Sequence, residues 1–213
     1  MENRINNTVL GVDLEFVTHP GIFSPRYLDK GTLAMLSVVE FNKNDKVLDL
    51  GCGYGLVGIL ASKLIGPQNV VMVDNDDRCI EYSKRNAILN NVPTIKIVKS
   101  DGVKNLDDAG FTIIVTNPPY HEDFKVPKEF IHKSFNRMKL NGKFYLVAKR
   151  LLWYKNKLIS IFGGVKIYNI NGYYICRSKK ESATYAKIEN PKATQQKIKR
   201  SRKNHKIKLK HLK

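Results

Sequence analysis

The sequence predicts an α/β fold: a doubly wound, mainly parallel seven-stranded sheet that ends in a C-terminal antiparallel hairpin strand. Three observations predict it. From Lys46 onward, short β-branched runs alternate with helically spaced apolar segments, the pattern of βα units stacked into a parallel sheet. A glycine-rich turn follows the first run, at the place where doubly wound sheets bind ligands. The alternation breaks at Asn171-Gly172, which lies between two β-rich runs and signals a hairpin.

Taken in order, Lys46 to Leu50 reads as a buried strand and Leu56 to Ile65 as a helix that stops at Gly66-Pro67. Asn69 to Val73 is a second strand, followed by a helix that Asp76 and Asp77 can cap and that runs to Asn91. Thr94 to Lys99 is a third strand leading into Asp101-Gly102, and Ile113 to Thr116 a fourth. Val126 to Leu140 has helical spacing and is expected to stop at Asn141-Gly142, with Lys143 to Ala148 as the fifth strand. Leu151 to Phe162 is the next helix, and Val165 to Ile170 with Tyr173 to Cys176 form the hairpin. There is no internal repeat.

At 213 residues and 42% hydrophobic, the chain suits one sizeable domain with an extension. No stretch approaches the roughly 18 apolar residues of a membrane helix, and the polar start lacks the apolar core of a signal peptide. A cytoplasmic location without membrane attachment is expected. Cys52, Cys79 and Cys176 are odd in number and widely spaced, so neither a disulfide framework nor a metal site is expected.

The net charge of +18 points to a polyanionic partner. From Arg177 to the end, fourteen Lys and Arg against Glu181 and Glu189 leave +12 in 37 residues. The expected organisation is an N-terminal segment at 1–45 over the site, a core at 46–178 and a basic stretch at 179–213. Lys197, Arg200 and Arg202 are its candidate contacts to the phosphates of a polyanion, although a solvated, solubilising extension is the alternative.

Asp49, Gly51, Gly53 and Gly55 stand where the first strand gives way to its helix. Glycines there permit a tight turn and a close approach of ligand to backbone. Asp49 suits a cationic amino group or sulfonium, Asp74 could accept two ribose hydroxyls, and Asp101 could accept from an adenine amino group, with Asn75 and Gly102 beside them. Asp77 reads as a helix cap and Cys52 as a small residue rather than a reactive one. Gly53-Tyr-Gly55-Leu-Val-Gly58 also satisfies the dinucleotide fingerprint, with an acid about 20 residues on, so an NAD-type site is the competitor.

The fourth strand runs into Asn117-Pro118-Pro119-Tyr120. Consecutive prolines cannot continue a central strand and freeze a loop at its end. The Asn117 side-chain oxygen and the Pro118 carbonyl could then face one planar amino group, with Tyr120 offering a ring for stacking. The bland alternative is a turn that merely ends a strand. The tetrapeptide resembles the catalytic motif of S-adenosylmethionine-dependent amino-methyltransferases, and a parallel sheet closed by a hairpin resembles the class I methyltransferase fold, in which the last strand inserts antiparallel beside the fifth. With Gly21-Ile-Phe23-Ser24, Leu28-Asp29 and Gly31-Thr32 ahead of the glycine turn and His121 after the tetrapeptide, residues 18–178 resemble the small-methyltransferase domain of ribosomal RNA guanine-N2 methyltransferases. The resemblance lacks the duplicated N-terminal domain of the longer ribosomal enzymes.

The resemblance implies S-adenosylmethionine as cofactor, RNA (ribosomal RNA or a ribosomal particle) as partner, and Asn117, Pro118, Pro119 and Tyr120 as catalytic residues. Tyr120 and His121 would contact the base, although His121 could equally be a loop residue, and Phe23 and Leu33 could be ordinary packing. Asp49 ahead of the glycines, Asp101 and the Asn-Pro-Pro-Tyr loop favour the methyl donor over a dinucleotide. The expected chemistry is direct transfer to an exocyclic nitrogen, without a covalent enzyme intermediate or a metal. Guanine N2 leads, adenine N6 of RNA or DNA is the alternative, and protein glutamine follows. A non-catalytic RNA-binding scaffold is the remaining class.

Overall fold

In the computed structural model, residues 2–118 and 125–185 are described. The elements are β1 (Asn3–Val9), β2 (Val12–Thr18), α1 (Lys30–Leu36), β3 (Val47–Leu50), α2 (Leu56–Ile65), β4 (Val70–Asp74), α3 (Asp77–Leu89), β5 (Lys96–Lys99), β6 (Phe111–Thr116), α4 (Lys125–Arg137), β7 (Met138–Ala148), α5 (Leu151–Phe162), β8 (Lys166–Ile170) and β9 (Tyr173–Lys179). The main sheet has seven strands in the order β5-β4-β3-β6-β7-β9-β8. The first five are parallel, and β9 runs antiparallel between β7 and β8. The expected fold class is therefore present, with the antiparallel strand beside the fifth.

All four residues of β3 are buried because helices cover both faces of the sheet. Val47, Ile113, Val115, Tyr145 and Val147 pack toward α1, α2, α3 and the N-terminal hairpin. Their neighbours Leu48, Ile114, Phe144, Leu146 and Ala148 pack toward α4 and α5. This period-two alternation sends successive side chains to opposite cores.

Beyond the sequence expectations, β1 and β2 form a separate hairpin. Its tip is Leu10-Gly11, both at positive φ (50° and 76°), and leucine in that conformation is why no turn signal marks it. The hairpin is held by two asparagines of α3. Asn86 Oδ1 accepts from Val17 N at 2.8 Å while its Nδ2 donates to Val17 O at 3.0 Å, and Asn90 binds Glu15 N and O in the same way. Two side-chain amides thus substitute for a neighbouring strand along β2.

Two expected boundaries move. Asp76 is the N-cap of α3, accepting from Arg78 N at 2.8 Å, whereas Asp77 is already helical and pairs with Lys99. The helix expected to reach Leu140 ends at Arg137, and β7 begins at Met138. Asn141 (φ 67°) and Gly142 lie inside this strand, near a register shift against β6, and their backbones pair with Lys180. Long-range pairing overrides the local stop signal there.

The body continues past Ser178. Lys180 is buried, and its ammonium donates to the carbonyls of Phe135 and Met138 at 2.7 and 3.0 Å, at the C-terminal end of α4. Cations are favoured at that end of a helix. Burial holds this ammonium below the usual lysine range. Tyr185 packs edge-on against His132 and Phe135. Among the described residues no helix is long and apolar enough to cross a membrane.

Candidate active site

At the carboxyl end of β3 the chain turns through glycines into α2. Gly55, the N-cap, has φ 101°, and a Cβ there would lie 2.8 Å from Met72 Cε, so both conformation and space require glycine. Gly55 has no side chain to cap the helix, and Asp49 does so from the strand, its Oδ2 accepting from Gly58 N at 2.8 Å. A Cβ on Gly58 would lie 2.3 Å from Met72 Cγ. Gly58 thus lets the helix start close enough to β4 for Asp49 to reach it. The third glycine of the apparent dinucleotide fingerprint is explained by this packing.

Asp74 ends β4 and braces the same turn: Oδ2 accepts from Gly53 N at 2.8 Å and Oδ1 from Asp76 N at 3.0 Å. A carboxylate has about four acceptor sites, so capacity for hydroxyl donors remains. Burial pushes the Asp49 carboxyl up to about 7, opposed by the Gly58 N–H and reinforced by the Asp74 charge. Burial also raises Asp74, against the N–H bonds of Asp76 and Gly53. Two crowded, desolvated carboxylates of this kind favour a cationic guest.

These groups line a cavity of about 340 Å³, within the usual range for small-molecule sites. Phe130 of α4 lines it beside the glycine turns, its ring 3.4 Å from where a Cβ on Gly102 would lie and 3.8 Å from one on Gly51. Asn117 also lines it. Its Nδ2 donates to Asp29 Oδ1 at 2.8 Å and to Thr32 Oγ1 at 3.0 Å. Asp29 Oδ1 also accepts from Thr32 N and Thr32 Oγ1 at 2.7 and 3.0 Å, as the N-cap of α1. Since a carboxylate only accepts, the Asn117 amine must face Asp29. What Asn117 can present to a guest is therefore its oxygen.

A model of the family described as "Methyltransferase small domain" matches residues 13–177. The chain belongs to the methyltransferase small domain family. Membership sets the class of chemistry, S-adenosylmethionine-dependent methyl transfer, and the dinucleotide reading is set aside. The chain is 32% identical over 174 residues to the uncharacterized protein YbxB of Bacillus subtilis, covering 79% of this chain and 87% of that one. It is 31% identical over 166 residues to ribosomal RNA small subunit methyltransferase C of Serratia proteamaculans, covering 76% of this chain and 47% of that protein. A solved structure of a T. thermophilus 16S rRNA N2 methyltransferase, in complex with AdoMet and guanosine, superposes with a TM-score of 0.76 at 26% identity, covering 84% of this chain and 51% of that one. The chain thus spans about half the length of the ribosomal RNA methyltransferases it matches.

The residues of this small-methyltransferase domain fit the family's cofactor. Of the residues that the sequence put forward for cofactor binding or catalysis, Asp49, Gly51, Gly53, Asp74, Asn75, Asp101, Gly102, Asn117 and Pro118 line the cavity. Asp101 also pairs with Lys104. Gly55 does not line it, because its place is the helix start. Pro119, Tyr120, His121, Lys197, Arg200 and Arg202 lie outside the described residues. Sequence reasoning had Asp29 and Thr32 only as part of the family resemblance, with no individual role, and did not name Phe130. Asp29-x-x-Thr32 has the spacing of a helix cap, a signal that could have been used, whereas nothing local marks Phe130.

Proposed function

We propose that this chain transfers the methyl group of S-adenosylmethionine to an exocyclic amine of a nucleobase, guanine N2 in ribosomal RNA. The observation that carries the reading is the clamped Asn117, a cavity-lining side chain whose amine is held by Asp29 and Thr32. The substrate choice is supported by the relatives named as ribosomal RNA methyltransferases and by the guanosine in the similar solved structure.

When bound, S-adenosylmethionine supplies an electrophilic methyl group on a sulfonium. Asp49 would offset its positive charge, Asp74 would accept from the ribose and Asp101 from the adenine amine, while Phe130 would exclude water beside Gly102. Asn117 Oδ1 and the Pro118 carbonyl accept from the two hydrogens of the target amine. A base amine is a poor nucleophile because its lone pair is delocalised into the ring. Two preorganised acceptors pyramidalise it and aim the lone pair along the transfer axis. Tyr120 stacks on the base once it has left its helix, and the displaced proton passes to water.

Around this site, the part of residues 1–45 from Gly21 to Met35 would cover the cofactor, and the basic stretch at 179–213 would hold RNA in the cytoplasm. Adenine N6 remains the second reading, because the same acceptor pair serves any planar amine. Nucleoside mass spectrometry of ribosomal RNA from cells with and without the gene tests the proposal: N2-methylguanosine should fall when the gene is removed, and an unchanged level would refute it.

A further inference from the structure

Residues 19–29 join β2 to α1 as a tied loop along the site. At its start a Cβ on Gly21 would lie 2.5 Å from Arg78 Nη1, in the first turn of α3, and at its end Asp29 holds Asn117. The loop is fixed from inside. Ile22 and Leu28 are buried, and Gly21 N and Ile22 N donate to His19 Nδ1 and His19 O, each at 3.0 Å. The Thr18 hydroxyl donates to Pro25 O, and Ser24 Oγ donates to Tyr27 O at 2.7 Å. Ser24 itself has φ 51°, a conformation that a residue other than glycine adopts at a cost.

What this bracing presents to solvent is aromatic and cationic. Phe23 is 55% exposed and Tyr27 77%, with Arg26 and Lys30 exposed next to them in the chain. Phe23 and Ser24 also line the cavity, so the surface they belong to is continuous with the site. Ordinary packing does not account for a Phe23 that lies more than half in water. A braced turn that keeps two large rings out of the core gives folding little, and strain of this kind gathers where a ligand is held. The acid of the loop, Asp29, is committed to the α1 cap and to Asn117. Exposed rings interleaved with cations suit an unpaired nucleic-acid strand, whose bases stack on the rings and whose phosphates meet the cations.

We propose that the 19–29 loop is a stacking platform for single-stranded RNA: the two unpaired bases next to the target nucleotide stack on Phe23 and Tyr27, the nearer on Phe23, and Arg26 holds a phosphate between them. This rests on the reading of the site as an RNA base methyltransferase. Stacking tolerates any base, so the platform selects an unpaired strand and leaves the choice of target base to the cavity. The enzyme would then act on a nucleotide whose neighbours are also free of pairing.

The test is binding of the full chain to an unstructured oligoribonucleotide of about 12 nucleotides across a salt series, with S-adenosylhomocysteine affinity and melting temperature measured in parallel. The double variant Phe23→Ala, Tyr27→Ala should bind roughly 30-fold or more weakly at every salt concentration, from at least about fivefold per stacked base. The log–log salt slope should stay unchanged, because the rings release no counterions, whereas Arg26→Gln should flatten it by about 0.7. Phe23→Leu with Tyr27→Leu, apolar but unable to stack, should lose as much as the Ala pair, and Phe23→Tyr with Tyr27→Phe should stay within about threefold of wild type. Ile88→Ala, which removes an equally exposed apolar side chain on the last turn of α3, should change nothing. Wild-type affinity in the Ala pair or the Leu pair would overturn the platform, as would a wild-type chain that does not bind the oligonucleotide. Lost cofactor affinity with RNA affinity unchanged would make Phe23 a cover for the cofactor and overturn it too. The expected loss of RNA affinity with no N2-methylguanosine in the product would keep the platform and overturn the base assignment instead.

Discussion

Asn117 Nδ2 donates to Asp29 Oδ1 at 2.8 Å, joining the loop after β6 to the first turn of α1 across 88 residues of sequence. One carboxylate oxygen therefore does two things: it caps α1 and fixes which end of the Asn117 amide faces the cavity. Replacing Asp29 by Leu should lower kcat by one to two orders of magnitude and cost about 1 kcal/mol through the lost cap, with cofactor affinity changed little. Asp29→Asn keeps an acceptor oxygen and should stay within about tenfold of wild type. Steady-state kinetics beside thermal melting separates the two effects, and equal kcat for Asp29→Leu and wild type would reduce the bond to a structural tie.

Asn117→Ala should lose roughly 100-fold or more in single-turnover rate at saturating cofactor, the scale seen when one preorganised partner of a reacting group is removed. Cofactor dissociation should move less than about threefold, because Asn117 acts on the acceptor of the methyl group. Near-normal turnover would reduce Asn117 to a loop-shaping residue.

Asp49 gives the site a pH dependence. Its carboxyl is raised to about 7 by burial, and a cationic ligand binds the ionised form, so affinity should rise with pH through about 7 and level off above. Below that it should fall by at most about tenfold per pH unit. For the unliganded protein the sign is opposite: a raised carboxyl contributes stability at pH below about 4 and loses it as pH rises through about 7. Calorimetry from pH 6 to 8 should show this dependence in the wild type and its loss in Asp49→Asn.

Gly58→Ala should destabilise by about 1–3 kcal/mol, the usual cost of overpacking, because its methyl group would meet Met72 Cγ at 2.3 Å. Adding Met72→Ala should return part of the lost melting temperature. A fully stable Gly58→Ala would mean that α2 can move off β4 at no cost.

The alternation of strands and helices, the hairpin and the carboxylates at the ends of β3, β4 and β5 were legible because each rests on a local pattern. The N-terminal hairpin was not, since Leu10 carries no turn signal and Asn86 and Asn90, which hold β2, look like ordinary helix residues. The end of α4 was misplaced because Asn141-Gly142 is a local stop signal that pairing with Lys180 converts into strand. Asp29 and Thr32 were visible as a family mark, but their grip on Asn117 exists only once β6 and α1 are brought together. Phe130 reaches the cavity by the path of α4, which no spacing reveals.

The central claim is transfer to guanine N2, and the most direct measurement uses purified protein, small-subunit ribosomal RNA and S-adenosylmethionine carrying a labelled methyl group. After complete digestion, mass spectrometry of the nucleosides should place the label in N2-methylguanosine, with Asn117→Ala giving almost none. Label in N6-methyladenosine alone, or in no nucleoside at all, would contradict it.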